Sequence, residues 1–319
     1  MKNFLRKNFW ILDILMLPFV WISARILKLL RSQGIANFPL SKRTLLNVGV
    51  FPISDHYYEP LFNSKHLIKP LSEERKLPGI NWNVDEQLEI LNTFSSQNEF
   101  DHISDDFVSD KVYHFTNGGY ESGDAEYWYN IVRLKKPKRI IEIGSGHSTK
   151  MARLAIQENQ RRDDTYECKH ICIEPYEMLW LEKLGVEVLR TRVENVDLNF
   201  FKQLEVNDIL FIDSSHIIRP QGDVLFEYLE LLPTLNQGVI VHVHDIFSPR
   251  DYLREWVEDE VRFWNEQYLL EAFLTSNTDW KIIGALNFLH HNHFNLLKAK
   301  CPKLSHDREP GSFYMVKLS

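Results

Sequence analysis

Acids recur within or at the ends of four short apolar runs. Glu142 lies in RIIEIG (139–144) and Glu174 in HICIEP (170–175), while Asp213 closes DILFID (208–213) and Asp245 closes GVIVHVHD (238–245). Two histidines accompany them: His216, three residues past Asp213, and His244, beside Asp245. Carboxylates accept hydrogen bonds from hydroxyls or hold a cation, and an imidazole exchanges a proton near neutral pH. A third feature is the stretch Glu142-Ile-Gly-Ser-Gly-His-Ser148. Gly144 permits a tight turn there, Gly146 lets backbone approach a ligand, and a following helix start offers free N–H groups to a polar group. The third glycine of a dinucleotide fingerprint is missing after Ser148, which weighs against a pyrophosphate.

These residues act together only if the chain brings them to one edge. The apolar runs named above, with VEVLRT (186–191), are mostly rich in β-branched residues and read as strands. Helical stretches fall between them at about 148–159, 176–184, 198–204 and 221–232, with another before the first strand (Ala125 to Leu134) and one at Val257 to Leu274. Alternating strands and helices imply parallel strands with right-handed crossovers. The predicted fold is therefore α/β, a Rossmann-like, doubly wound, mostly parallel sheet with an N-terminal helical and irregular extension. WKIIGAL (280–286) and SFYMVKL (312–318) read as closing strands, a hairpin at the sheet edge. Ligands of open α/β sheets bind outside the carboxyl ends of strands, which is where Glu142, Glu174, Asp213 and Asp245 converge. Glu174 at a second-strand tip is placed to accept both ribose hydroxyls of a nucleoside. Strand alternation sets His242 on the same face as His244 but deeper, where a structural role is expected.

The bulk numbers fit a globular chain. Of 319 residues, 44% are apolar and 25% charged, and the net charge of −7 offers no global basic field for nucleic acid. The three cysteines, Cys168, Cys172 and Cys301, lack regular spacing, so a reducing, cytoplasmic setting is expected, with Cys172 a buried strand thiol. Three regions are predicted: an apolar, basic-flanked helix over 1–31, an irregular extension or lid over 32–114 in which only Asp85 to Phe94 reads as a helix, and the α/β domain over 115–319. The aromatic cluster Phe51, His56, Tyr57, Tyr58 and Phe62 is expected to pack under a loop. Residues 9–30 carry Trp10 and Trp21, with Lys2, Arg6 and Lys7 before them and Arg25, Lys28 and Arg31 within or after. Asp13, Pro18 and the early Arg25 argue against a clean membrane span. Two readings stay open: a helix lying on the inner membrane face, or one docked on its own domain or on a second subunit of a homo-oligomer.

The set RIIEIGSGHST, ICIEP, DILFIDSSH, a helix with Asp223, and LNQGVIVHVHDIF resembles the class I S-adenosylmethionine-dependent methyltransferases. It is most similar to the bacterial branch of macrolide-sugar O-methyltransferases and cephalosporin-hydroxylase-like proteins. The resemblance covers residues 115–250 well, the C-terminal 70 loosely, and 1–114 through no motif. It implies that Glu142, Gly144, Ser145, Gly146 and Ser148 frame the methionine moiety, that Glu174 holds the ribose, that Glu194 approaches the adenine, and that Asp213 lies in the cofactor site. It matches Asp213 and Asp245 to the aspartates that bind Mg²⁺ in metal-dependent members. The oxygen donor usual after the second aspartate is here Ile246, which puts the metal in doubt. His216, His244 and Asp245 are the catalytic candidates, either histidine serving as base. A glycan, glycolipid or small glycoside is the expected acceptor, with a small secondary metabolite as the alternative. A non-catalytic envelope or polysaccharide assembly scaffold and a nonheme iron hydroxylase also stay open.

Overall fold

The computed structural model describes residues 9–176 and 178–319. The chain divides into two compact units, Met1–Ile68 and Lys69–Ser319.

In the first unit, α1 (Phe9–Ser32) is a continuous helix that carries Pro18 in its interior and has no buried residue. The helix runs through Asp13 and Pro18 without a break. The flanking cations Lys2, Arg6 and Lys7 lie outside the described residues. A second helix, α2 (Pro39–Val48), was not anticipated, although its signals are local: Pro39 opens it and Gly49 closes it in the left-handed conformation. Arg31 Nε donates to Glu59 Oε1 at 2.5 Å. Tyr57 and Tyr58 are 92% and 86% exposed, so the expected packing of this aromatic cluster does not hold for them.

The second unit is built on a seven-stranded sheet of order β3-β2-β1-β4-β5-β7-β6. Its elements are α3 (Val84–Thr93), α4 (Asp124–Lys135), β1 (Arg139–Ile143), α5 (His147–Arg162), β2 (Lys169–Ile173), β3 (Glu187–Leu189), β4 (Ile209–Ile212), α6 starting at Asp223–Phe226, β5 (Ile240–Val243), α7 (Glu266–Leu274), β6 (Trp280–Ala285), α8 (Leu286–Asn292), α9 (Phe294–Lys300) and β7 (Phe313–Lys317). The first five strands pair in parallel, and β7 runs antiparallel to both neighbours. The closing strands β6 and β7 pair antiparallel at the sheet edge as expected, with β7 joined to β5 and β6 outermost, although α8 and α9 rather than a tight turn connect them. Both faces are covered, which is why the strands read as nearly unbroken apolar runs. Ile141, Ile143, Ile171, Ile173, Leu210, Ile212, Val241 and Val243 pack on one face with Tyr228, Leu270 and Leu274. Ile140, Ile209, Phe211 and Ile240 pack on the other with Trp128, Met151, Ala155 and Leu289. Leu91, Phe94, Phe100 and Tyr113 join this second core. Residues 69–114 therefore belong to the unit that holds the sheet, whereas the sequence places its start at 115.

Three connections differ from expectation. Among its described residues the stretch 176–184 holds only the 3₁₀ turn Leu181–Leu184, with Met178 left-handed (φ 54°) before it and Gly185 left-handed (φ 72°) after it. The stretch 198–204 is likewise a 3₁₀ turn, Leu198–Gln203. The long helix expected from Val257 starts only at Glu266; before it come a π turn, Glu255–Asp259, and a left-handed Val261 (φ 53°). There the Arg262 guanidinium lies 4.3 Å from the Trp256 ring and 4.4 Å from the Trp264 ring. Helix α6 also continues through a π turn, Glu227–Leu231, before ending at Leu232–Thr234.

Candidate functional site

The turn from β1 into α5 is shaped by one close approach. Gly144 has φ +74°, and a Cβ there would lie 1.9 Å from the Asp213 carbonyl oxygen. The loop therefore rests directly on the end of β4, and the Gly144 N–H donates to Ile173 O at 3.1 Å. Gly146 is extended (φ −175°), and its N–H donates to Thr149 Oγ1 at 3.2 Å. The Ser145 N–H donates to Glu174 Oε2 at 3.4 Å, while the buried Ser145 hydroxyl has no hydrogen-bond partner among the described residues.

This turn forms one wall of a cavity of about 470 Å³ at the carboxyl ends of β1, β2 and β4. Gly144, Glu174, Glu194, Asp213, Ser214 and Asp223 line it, with Arg192 and Arg219 among the remaining walls. Glu194 reaches it from the 3₁₀ turn Val193–Asn195. Asp223, at the start of α6, accepts from the Ser215 N–H at 2.9 Å and the Ser215 hydroxyl at 2.7 Å, which fixes the turn after β4.

Two residues expected at the ligand face elsewhere. Glu142 is fully buried and is not among the cavity's lining residues. The Thr149 hydroxyl donates to its carboxylate, and His170 Nε2 lies 3.4 Å from it. Its place is behind the glycine turn, supporting the start of α5. Ser148 is also buried, and its carbonyl accepts from Trp128 Nε1 at 3.2 Å. Ser145 and Gly146 are not among the lining residues either, although Ser145 is tied to Glu174. His242 lies in the core, with Nε2 2.9 Å from Ser312 Oγ and its ring stacked on Tyr314 at 4.1 Å.

Beside the cavity, the ends of β4 and β5 bring Asp213, His216, His244 and Asp245 together. His216 Nε2 is 3.3 Å from Asp213 Oδ1 and 3.5 Å from Asp245 Oδ2. His244 Nδ1 is 3.6 Å from Asp213 Oδ1 and 3.5 Å from Asp245 Oδ1. Behind them stand two acids that no local pattern announces. Glu266, at the start of α7, meets His216 Nδ1 at 2.8 Å and accepts from the Tyr228 hydroxyl at 3.0 Å. Asp124, at the start of α4, lies 3.8 Å from His244 Nε2 and accepts from the Ser312 N–H at 2.7 Å. Neither is near the strand tips in sequence.

Burial disfavours charge on His216, but Asp213 and Glu266 outweigh it and raise its pKa well above the ordinary value. Burial opposes charge on His244 in the same way, and Asp245, Asp213 and Asp124 reverse it. Burial pushes Asp213 up, but His244 and His216 hold it below the usual carboxylate range. Asp245 stays raised by burial against the pull of both histidines. As for Mg²⁺, that ion prefers a near-octahedral set of oxygens, and here two imidazoles stand among the protein donors while Ile246 is buried in the core. The set fits Mg²⁺ poorly.

Residues 141–246 match a family model described as a methyltransferase domain. An uncharacterized protein from Archaeoglobus fulgidus is 31% identical over 174 residues, which is 50% of this chain and 76% of that protein. The chain belongs to the class I methyltransferase family. Among solved structures, an O-methyltransferase from Bacillus cereus in complex with SAH is 14% identical, covering 80% of this methyltransferase and 94% of that chain at a TM-score of 0.36. The plantazolicin methyltransferase BpumL in complex with SAH is 14% identical, covering 62% and 83% at 0.34. The MycE methyltransferase of the mycinamycin pathway, in complex with Mg, SAH and mycinamycin VI, is 13% identical, covering 60% of this chain and 48% of that one at 0.33.

Proposed function

We propose that this methyltransferase uses S-adenosylmethionine to methylate a hydroxyl oxygen, with a sugar on a glycan, glycolipid or small glycoside as acceptor. The observation that carries the reading is the cavity of about 470 Å³ at the carboxyl ends of β1, β2 and β4, with Gly144, Glu174, Glu194 and Asp213 in its walls. Its size is that of a small-molecule site. Glu174 offers acceptors to ribose hydroxyls and Glu194 to an adenine amino group. The carboxylates also suit a ligand that carries a positive sulfonium.

Methyl transfer is an in-line displacement. A lone pair on the acceptor oxygen forms the new C–O bond as the C–S bond breaks, and sulfur keeps the electron pair as a neutral thioether. The protein's first task is alignment, and a well-oriented pair recovers much of the barrier. The second is to take the hydroxyl proton. The cluster of Asp213, His216, His244 and Asp245 adjoins the cavity through Asp213, and within it Asp245, the carboxyl whose pKa is raised by burial, gives that proton a destination.

We also infer that α1 enters a lipid bilayer at the inner membrane face. Its 24 residues extend about 36 Å at the helical rise. Apart from Asp13, the side chains from Phe9 to Ile22 are apolar, and Trp10 and Trp21 are 63% and 59% exposed. Arg25, Lys28 and Arg31 follow, suited to anionic headgroups. A membrane position favours a lipid-linked acceptor over a freely soluble metabolite.

Calorimetric titration with S-adenosylmethionine and S-adenosylhomocysteine tests the first claim, followed by transfer of a labelled methyl group to sugar, glycolipid and metabolite acceptors. Binding without transfer to any glycan, but with transfer to a small metabolite, would replace the acceptor. Absence of binding would end the methyltransferase reading and favour a scaffold. Co-flotation with anionic vesicles tests the helix; failure of the full chain to float refutes the lipid contact.

A further inference from the structure

Two imidazole nitrogens and two carboxylates face one another where β4 and β5 end. Donor atoms of Asp213, His216 and Asp245 all lie within 4.8 Å of each other. His244 adds a fourth donor: its Nδ1 is 3.6 Å from Asp213 and 3.5 Å from Asp245. Among the described residues that buried nitrogen has no hydrogen-bond partner, although it lies close to both acids. His216 is held from behind in the manner of a metal ligand. Its Nδ1 meets Glu266 at 2.8 Å, which fixes the ring and leaves Nε2 toward Asp213 and Asp245. The Tyr228 hydroxyl in turn fixes Glu266. A hydrogen-bonded outer shell of this kind orients a ligand and raises its basicity.

We propose that Asp213, His216, His244 and Asp245 form a centre for a borderline divalent transition metal, of the class of Fe²⁺, Co²⁺ or Zn²⁺, in preference to Mg²⁺. The argument is the donor chemistry. Mg²⁺ is hard, dehydrates reluctantly and takes oxygen ligands. Imidazole suits the later first-row metals, whose affinity for mixed nitrogen and oxygen sites also rises along the series. With Asp213, His216 and Asp245 as ligands, further positions would be left for His244, water or an acceptor hydroxyl. Coordination through His216 Nε2 and His244 Nδ1 would withdraw both rings from proton transfer. A bound ion would instead lower the pKa of an oxygen brought to it. The centre is defined by protein side chains alone and does not rest on the methyl-transfer reading.

His290, His291 and Glu309 form another group within 4.8 Å, and Co²⁺ held there would not respond to Glu266→Gln; Glu142, His170 and Cys172 form a competing site with a thiol among its donors. The thiol site is spectroscopically distinct, because Co²⁺ bound to a thiolate shows an intense near-ultraviolet charge-transfer band and Co²⁺ bound to imidazole and carboxylate does not. The experiment therefore strips the full-length protein with a chelator and titrates it with Co²⁺. The expected result is one Co²⁺ per chain, visible d–d absorption without a thiolate band, displacement by Zn²⁺, and no displacement by a large excess of Mg²⁺. Glu266→Gln should weaken Co²⁺ binding roughly 10- to 100-fold while the far-ultraviolet spectrum is kept. His244→Glu exchanges a nitrogen donor for oxygen and should let Mg²⁺ compete. If that variant does not fold, the wild-type competition and Glu266→Gln decide. No Co²⁺ binding, a thiolate band, or equal competition by Mg²⁺ and Zn²⁺ overturns the proposal. S-adenosylmethionine binding is measured on the same stripped protein, so loss of one reading is separable from loss of the other.

Discussion

Gly144 is the residue on which the cavity's geometry turns, and Gly144→Ala tests it. The residue has φ +74°, and an added Cβ would meet Asp213 O at 1.9 Å and Asp213 C at 2.9 Å. Both are backbone atoms, so no rotamer change relieves the clash. The left-handed conformation alone costs a non-glycine residue about 1–2 kcal/mol. Forcing a methyl group into a packed contact adds about 1–3 kcal/mol. Together, about 2–5 kcal/mol is lost, and for a unit of this size each kcal/mol lowers Tm by about 2–4 °C. The expected drop is therefore roughly 4–20 °C, read by calorimetry or by loss of ellipticity. Function should fall further than stability, because Gly144 and Asp213 line the same cavity, and a shift of about 1 Å in a reacting group can cost on the order of a hundredfold in rate. A variant with Tm within about 2 °C of wild type and unchanged S-adenosylhomocysteine affinity would show that the glycine turn does not rest on β4 as described.

The remaining predictions separate fold from ligand. Gly146→Ala meets nothing nearer than Met178 Cε at 3.8 Å, and Gly146 does not line the cavity, so Tm and S-adenosylhomocysteine affinity should both hold; a tenfold loss of affinity, about 1.4 kcal/mol, would put Gly146 against the ligand. Glu174→Ala removes a charged acceptor whose hydrogen bonds are worth about 1.5–3 kcal/mol, so calorimetry should show weaker cofactor binding, and an unchanged Kd removes Glu174 from the site. Burial, with Lys150 and His114 nearby, lowers His147 from 6.5 to about 4. The unfolded chain then binds the extra proton between those values, so this contribution is complete above pH 6.5 and is lost as pH falls toward 4. His147 is only half-buried, so roughly 1–2 kcal/mol is expected. Urea unfolding at neutral and acid pH should show His147→Gln losing less stability than wild type, and equal losses would refute the assignment.

The sheet was legible because it is parallel and covered on both faces, so β1, β2, β4 and β5 each announce themselves as short apolar runs. The helices that failed were those whose ends are set by contacts rather than by propensity. The Val257 segment is apolar enough to read as helical, yet Arg262 between Trp256 and Trp264 and the left-handed Val261 hold it open. The strand tips placed Asp213, His216, His244 and Asp245 on one edge, because the carboxyl ends of parallel strands lie together. Glu266 and Asp124 were not legible. They lie 50 residues from His216 and 120 from His244, and only the three-dimensional meeting of α7 and α4 with the strand ends gives them a role. Glu142 misled for the opposite reason. It adjoins the glycine turn in sequence, but its carboxylate points to Thr149 and His170 beneath the turn.

The two residues that complete the polar cluster are also two of the left-handed non-glycine residues among those described. His216 has φ +60° and Asp245 φ +59°. Each such conformation costs about 1–2 kcal/mol and persists only where its surroundings over-determine it. Those surroundings are visible. The His216 carbonyl accepts from the N–H groups of Asn265 and Glu266 at 2.9 and 3.2 Å, and its ring lies 4.2 Å from Trp264. The turn at Asp245 is backed by Gly311, where a Cβ would come within 3.2 Å of the Asp245 Cα. In a regular extended strand, His244 and Asp245 would project to opposite faces. The left-handed turn instead brings both toward Asp213, with His244 Nδ1 3.5 Å from Asp245 Oδ1. A turn that served the chain path alone would be made more cheaply by glycine or asparagine. Strain held at the two positions whose side chains complete the cluster points to selection for the cluster itself.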